Sequence, residues 1–315
     1  MLNTGHAKPA QMYEWQMATE NADWPQEHFF ANLYSFDDKM WISDPFVGNW
    51  VSEDGVDWEE FNPSIDINTA DATIVPFKDM LFAVGDPNDS KLRLQFWRST
   101  DGINWNDITI SLPQIDEWAP INFPRFFAHG TVFRDQIWLI EESTANHAGV
   151  LWHSHDGIEW RFAATELPWQ PREYFHVEVF NDEMYVIGGR RVVDGEIAIL
   201  DDVWRSRDGL NWFETPGSST PAEVPWAGRD FFETAVYDGR LWLMGGASND
   251  DPLGLNDVWF SDDGIVWFQQ FAEANWPPRG AFNAVEHNDK LFIMGGKVGP
   301  DQFLNDVWYM QRSEE

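Results

Sequence analysis

Four arginines stand at matching places along the chain, in Pro124-Arg125, Pro171-Arg172, Gly228-Arg229 and Pro278-Arg279, and four residues after each comes a polar side chain: His129, His176, Glu233 and Asn283. Two further stretches keep the spacing with other residues: Glu27-His28 with Asn32, and Thr69 with Thr73. A guanidinium fork binds a carboxylate or phosphate through two parallel hydrogen bonds. Clustered at one opening, Arg125, Arg172, Arg229 and Arg279, with Asn283, His28 and Glu27, would form a pocket for an anionic ligand. Glu233, His176 and His129 would be the groups able to move a proton there. The same forks could instead pair with acids such as Glu173, Asp230 or Glu233 and tie neighbouring parts of the chain together. The histidines could likewise be satisfied by bonds across the opening.

What must position these residues is a repeat. The pattern S-x-D-G-x-x-W occurs at Ser52 to Trp58, Ser99 to Trp105, Ser154 to Trp160, Ser206 to Trp212 and Ser261 to Trp267. Each copy is preceded by Trp50, Trp97, Trp152, Trp204 or Trp259, always eight residues before the closing tryptophan, while successive copies lie 47, 55, 52 and 55 residues apart. Asp-Gly between short β-type runs predicts a tight hairpin, because the turn needs positive φ. The Ser and Asp side chains can accept backbone N–H bonds within it. A period near 50 residues marks a propeller or solenoid.

Upstream of each hairpin lie two more apolar runs, for example Tyr174 to Phe180 followed by Met184 to Gly189. One repeat is thus four strands, and four-stranded units repeated radially make a β-propeller. The third-strand tryptophan occurs a sixth time, at Trp308, but the chain stops at Glu315 without a fourth strand. Glu14 to Thr19, leading to Asp23-Trp24-Pro25, matches Val266-Trp267-Phe268 leading to Asn275-Trp276-Pro277. The expectation is an all-β, six-bladed propeller over 1–315, closed by the N-terminal strand completing the last blade, with 1–11 as a flexible segment. All 20 tryptophans fall at repeat positions, which reads them as packing between blades. The Asp-Gly turns would lie on the bottom, and the long variable loops and the arginines on top, the face expected to carry function.

Composition narrows the partners. Fifty-three acids against 20 bases give a net charge of −33, which argues against nucleic acid, whose binding rests on Lys and Arg neutralising phosphates, and against anionic membrane surfaces. It suits solubility and adaptation to salt, and a monomer is expected. With no cysteine there is neither a disulfide nor a thiolate metal site. No run reaches membrane-spanning length, and no signal peptide is read at the N-terminus. No cofactor is expected. Asp86 to Ser90 and Ser248 to Pro252 offer oxygens suited to calcium but read as turns. His147, His153 and His155 lack a third metal ligand. Arg190 and Arg191, with Asp194 and Glu196, could extend the pocket rim.

The pattern resembles the kelch family of propellers. Gly188-Gly189, Gly245-Gly246 and Gly295-Gly296 carry the likeness, followed after a variable loop by Asp202-Val203-Trp204, Asn256-Asp257-Val258-Trp259 and Asn305-Asp306-Val307-Trp308. The first three repeats depart from it, with Ser43-Asp44, Gly85-Asp86 and Glu141-Glu142 in place of the double glycine. The resemblance implies a non-catalytic scaffold that binds a ligand, glycan or protein partner through its top face and channel mouth. Blade number and an arginine-rich mouth are also similar to sialic acid mutarotases. That likeness implies the alternative, an enzyme on an anionic sugar, with arginines on the carboxylate and Glu233 with His176 or His129 moving the proton. The hairpin is similar to the Asp-box of sialidases, which has one more residue between Asp and Gly; Tyr174, the tyrosine beside the arginines, reads as packing rather than as a nucleophile. The cofactor of galactose oxidases needs a cysteine, which this chain lacks.

Overall fold

In the computed structural model the described residues are 12–26, 32–44, 47–65, 72–85, 95–108, 128–141, 149–164, 167–215, 225–299 and 301–313. They form six four-stranded antiparallel sheets and two small hairpins. The inner strands are Asn32–Phe36, Thr73–Phe77, Ala128–Phe133, His176–Phe180, Glu233–Tyr237 and Asn283–His287. Each packs on both neighbours, including the first on the last, so the ring is closed. In five blades the strands run outward in chain order. The sixth is built from Asn283–His287, Lys290–Met294, Val307–Arg312 and, outermost, Tyr13–Thr19 from the start of the chain. There Trp15 meets Trp276 edge-on at 5.9 Å, as Trp212 meets Trp169 at 5.0 Å and Trp267 meets Trp226 at 5.9 Å in the two preceding blades.

The repeated hairpin folds through local bonds. Ser206 Oγ accepts the N–H groups of Asp208 and Gly209 at 3.3 and 2.9 Å, and Asp208 Oδ1 accepts those of Leu210 and Asn211 at 2.9 and 2.7 Å. Against a small cost of burial, the bonds from Asn211, Leu210 and Ser206 hold the Asp208 carboxyl at about 2. Gly209 has φ +75°, and a Cβ there would lie 2.4 Å from the Trp138 ring of the preceding blade. The other four turns repeat this approach: Gly55 on Phe292, Gly102 on Trp41, Gly157 on Phe82 and Gly264 on Tyr185. The remaining second-strand aromatic, Trp242, faces the blade completed by the N-terminal strand and packs edge-on against Tyr13 at 5.0 Å. The Asp-Gly turn therefore sets both the strand reversal and the seating of one blade on the next. Core clusters of buried aromatic and aliphatic side chains lie between successive blades. Of the described tryptophans, all but Trp50, Trp152 and Trp204 are buried.

Candidate functional site

Blades four to six share a five-residue entry into the inner strand: Arg172-Glu173-Tyr174-Phe175-His176, Arg229-Asp230-Phe231-Phe232-Glu233 and Arg279-Gly280-Ala281-Phe282-Asn283. The third residue of each is left-handed, with φ 54°, 53° and 53° at Tyr174, Phe231 and Ala281. For bulky side chains this conformation is costly and persists where the surroundings enforce it. The enforcing contact is the second glycine of each pair. A Cβ on Gly189, Gly246 or Gly296 would come within 2.6, 2.8 or 2.9 Å of the carbonyl oxygen of Glu173, Asp230 or Gly280. The second glycine is thus needed so that two backbones can meet.

The arginines lie behind this turn, inside the blades. Arg172, Arg229 and Arg279 are 1%, 0% and 0% exposed. Arg229 donates to both carboxylate oxygens of Asp257 at 2.8 and 2.9 Å, to Gly245 O at 2.9 Å and through Nε to Ala227 O at 3.2 Å. Arg279 does the same with Asp306, Gly295 and Pro277, and Arg172 with Asp202, Gly188 and Gln170. Each aspartate also accepts the indole N–H of the tryptophan two residues on: Trp204, Trp259 or Trp308. These guanidinium forks are filled by carboxylates of their own blades. Of the residues expected to line an anion pocket, Arg125, Glu27 and His28 lie outside the described residues.

The residues four places after the arginines are those that converge. His129, His176, Glu233 and Asn283, with Thr73 and Asn32 of the first two blades, line a central channel mouth of about 400 Å3. Asn32 is committed to the neighbouring blade, donating to Ala72 O at 2.9 Å and accepting from Ile74 N at 3.1 Å. Each imidazole leans on a phenyl ring of the next blade, His129 on Phe175 at 4.3 Å and His176 on Phe232 at 4.9 Å. His176 Nε2 stands 3.8 Å from Glu233 Oε1. Glu178, one inward position further along the strand that carries His176, also faces the channel and accepts the Thr234 hydroxyl at 2.9 Å.

Electrostatics in the channel follow from narrow walls. The His176 and Glu233 side chains keep 23% and 16% of their surface, toward the open mouth, and the channel walls enclose the rest. Burial, and then the neighbouring His129, push His176 down to about 3. Burial raises Glu178 to about 7 in spite of the Thr234 hydroxyl. Glu233 is raised well above the carboxylate range, by burial and then by Glu178. The channel thus sets a carboxyl that holds its proton more tightly than usual beside an imidazole that resists taking one up, and its described lining holds neither Lys nor Arg.

The DUF6242 beta propeller domain matches residues 3–259, more than half of the sequence. The chain belongs to the DUF6242 β-propeller family. Among curated proteins it is similar to the flagellar outer arm dynein alpha chain of Chlamydomonas reinhardtii, with 28% identity over 151 residues, 46% of this chain and 3% of that one. It is also similar to a probable serine/threonine-protein kinase of Dictyostelium discoideum, with 34% identity over 70 residues, 21% of this chain and 5% of that one. The chain thus spans a small fraction of either relative.

Elsewhere on the top face of this DUF6242 propeller, Arg190 lies over the Tyr174 ring at 4.4 Å and pairs with Asp230 at 3.3 Å and Glu173 at 3.7 Å, while Arg191 bonds Gln170. Tyr174 packs on Phe231, their ring centres 4.5 Å apart. The loop at Ser248 is a turn, its hydroxyl accepting the Asp251 N–H at 3.1 Å, and 86–90 lies outside the described residues. His147 does too. His153 stacks on Trp138 at 4.7 Å and bonds Gln136. Among the described residues no group of three or more His, Asp or Glu has metal-binding geometry, and no helix is long and apolar enough to cross a membrane.

Two acids were missed from sequence. Glu178 stands where the other blades carry Tyr34, Val75, Thr131, Ala235 and Val285, and an acid at an inward place of that kind was the available signal. Glu141 is 3% exposed and accepts the Trp152 indole N–H at 3.2 Å, the task of the aspartates in blades four to six. Burial raises it to about 8.

Proposed function

We propose that this propeller is a recognition module that binds a small, uncharged, polyhydroxylated ligand at its channel mouth, with Asn283, His176, Glu233, Glu178 and His129 as the contacting groups, and does not transform it. The observation that carries this reading is a set of hydrogen-bonding side chains with no Lys or Arg among the described lining, brought in from several blades around a ligand-sized opening. A carboxyl that holds its proton more tightly than usual, an imidazole and an amide each give and accept hydrogen bonds, which matches hydroxyl groups of mixed orientation. The arginine spacing suggested an anionic sugar. With the described forks filled by aspartates and two carboxyls in the channel, an uncharged sugar or polyol suits the lining better. The shared Gly-Gly, Arg and Asp-Val-Trp geometry of the last three blades supports a kelch-like propeller.

A second reading rests on one contact. Glu233 and His176, 3.8 Å apart, have affinities for protons pushed in opposite directions, as a general acid and base require. Calorimetry and proton NMR with a panel of neutral sugars, polyols and sugar acids separate the two. Binding of a neutral compound that is weakened in Asn283→Ala and His176→Asn and leaves the compound unchanged over hours supports recognition. Conversion of the bound compound, lost in Glu233→Gln, supports the enzyme. Binding confined to sugar acids would overturn the preference for an uncharged ligand.

A further inference from the structure

Beside the channel mouth the top face holds a second cavity, a groove of about 430 Å3. Its walls include Ile197, Ile199, Phe231, Pro252 and Leu253, with Lys297 at one side. Ile197 and Ile199 belong to a hairpin, Arg190–Val193 with Glu196–Ile199, that forms a sheet of its own. The register pairs Arg190 with Ile199 and Val192 with Ile197, so these four share one face. That face turns toward Phe231, over whose ring Arg190 lies at 5.2 Å.

The groove is preformed and apolar. Gly299 N–H donates to Leu253 O at 2.9 Å and Leu255 N–H to Gly246 O at 2.7 Å, fixing the far wall. The Arg190 to Asp230 pair holds the near one. Leu253 and Ile197 are nevertheless 63% and 54% exposed. Large exposed apolar side chains grouped around a concavity mark a docking surface rather than chance exposure. The rim is acidic: Asp194, Asp250, Asp251 and Asp301 lie within two or three residues of lining residues in the chain and are all exposed. The cations nearby are engaged, Arg190 with its two acids and Lys297 over the Phe231 ring at 5.4 Å.

We propose that this groove docks an extended peptide segment of a protein partner in which leucine- or valine-sized side chains alternate with lysine or arginine. An extended chain places alternate residues on opposite sides, so its apolar side chains can enter between Ile197, Ile199 and Leu253 while its cations meet the acidic rim. Charge complementarity of this kind selects the partner and speeds the encounter. An acidic peptide or an anionic lipid surface would face the carboxylates of Asp194, Asp250, Asp251 and Asp301. The inference is independent of the channel ligand, although Phe231 borders both cavities.

The test uses the full chain and fluorescein-labelled ten-residue peptides alternating Leu with Lys, Ser with Lys, and Leu with Glu, followed by fluorescence anisotropy. The Leu–Lys peptide is expected to bind about tenfold or more tightly than Ser–Lys, with Leu–Glu not binding. The double variant Ile197→Ser with Leu253→Ser should lose about tenfold of that affinity. Leu210→Ser with Val266→Ser, in Asp-Gly turns on the opposite face, should lose none. All four side chains are exposed, so both variants should fold, and circular dichroism melts check this. Equal binding of Ser–Lys, or retained affinity in the groove variant, would mean that net charge alone attracts the peptide and would overturn the proposal. Binding of none of the peptides would do the same. Self-association of the chain that the groove variant abolishes would make a second copy the occupant and also overturn it.

Discussion

Arg229 and Asp257, 28 residues apart in the chain, meet through two parallel hydrogen bonds of 2.8 and 2.9 Å at the top of the fifth blade, with the guanidinium wholly buried. The pair joins the entry of the inner strand to the start of the third strand, while the Arg229 Nη1 bond to Gly245 O reaches the end of the second. One guanidinium thus fixes three segments at the end of the blade that faces the channel. It acts on the site by holding the turn that aims Glu233.

Arg229→Ala should therefore unfold the protein more easily rather than simply remove a ligand contact. Breaking a buried pair by deleting one partner strands the other charge and costs about 3–5 kcal/mol. Urea denaturation should show that loss in Arg229→Ala. A variant as stable as the parent would mean that the buried fork contributes nothing to the blade.

Glycine in the Asp-Gly turns has two tasks that substitution can separate. Gly209→Ala meets both a left-handed backbone, φ +75°, and the Trp138 ring at 2.4 Å, whereas Gly239→Ala meets only φ +69° in open space. Left-handed strain alone costs about 1–2 kcal/mol, and forcing an extra carbon into a packed interface adds about 1–3 kcal/mol. Thermal melts should rank Gly209→Ala well below Gly239→Ala. Gly239→Asp should be nearly neutral, because Asp182 and Asp289 hold the matching turn position with φ 58° in other blades. Equal losses at Gly209 and Gly239 would remove the inter-blade task of the turn.

The propeller could be read from sequence because its information is local and repeated: each Asp-Gly hairpin closes its own hydrogen bonds, and the unpaired third strand at Trp308 called for the strand around Trp15. The channel residues His129, His176, Glu233 and Asn283 were legible for the same reason, their fixed distance from the arginine. What the arginines touch was not. Their partners Asp202, Asp257 and Asp306 lie across a loop of variable length, 30, 28 and 27 residues away; the Asp-Val-Trp repeat marks these aspartates, but no fixed spacing ties them to the arginines. The channel's proton affinities were hidden likewise, since they depend on burial by the surrounding blades and on Glu178, an acid at an inward repeat position where the other blades carry none.

Ring closure makes its own prediction. Tyr13–Thr19 pairs along its length with Val307–Arg312 and buries Tyr13 and Trp15 against Trp242 and Trp276. Trp15→Ala should cost about 3–5 kcal/mol, as other buried aromatic truncations do. A chain beginning after Glu20 should lose cooperative melting and recover it when a synthetic peptide spanning 12–20 is added. A truncated chain that melts as the parent does would show that the sixth blade stands without its outer strand.

Glu141 offers a pH test whose sign is fixed by burial. Its carboxyl moves from an ordinary value of 4.5 to about 8 in the folded chain, so between these values the native state holds a proton that the unfolded state has released. The native state then binds more protons, and stability falls as pH rises through this window. His176 works in the opposite direction: displaced from 6.5 to about 3, it takes up a proton on unfolding, so its contribution is lost as pH falls below 6.5. Glu141→Gln keeps a carbonyl oxygen for the Trp152 indole and removes the ionisation. The variant should match the parent near pH 4.5 and exceed it near pH 8, by an amount on the order of a few kcal/mol. His176→Asn should alter only the acid side of the profile. Urea midpoints measured across pH 4 to 9 for the three proteins decide this. A Glu141→Gln curve parallel to the parent throughout would mean that Glu141 ionises at its ordinary value, with water or a cation reaching it inside the blade.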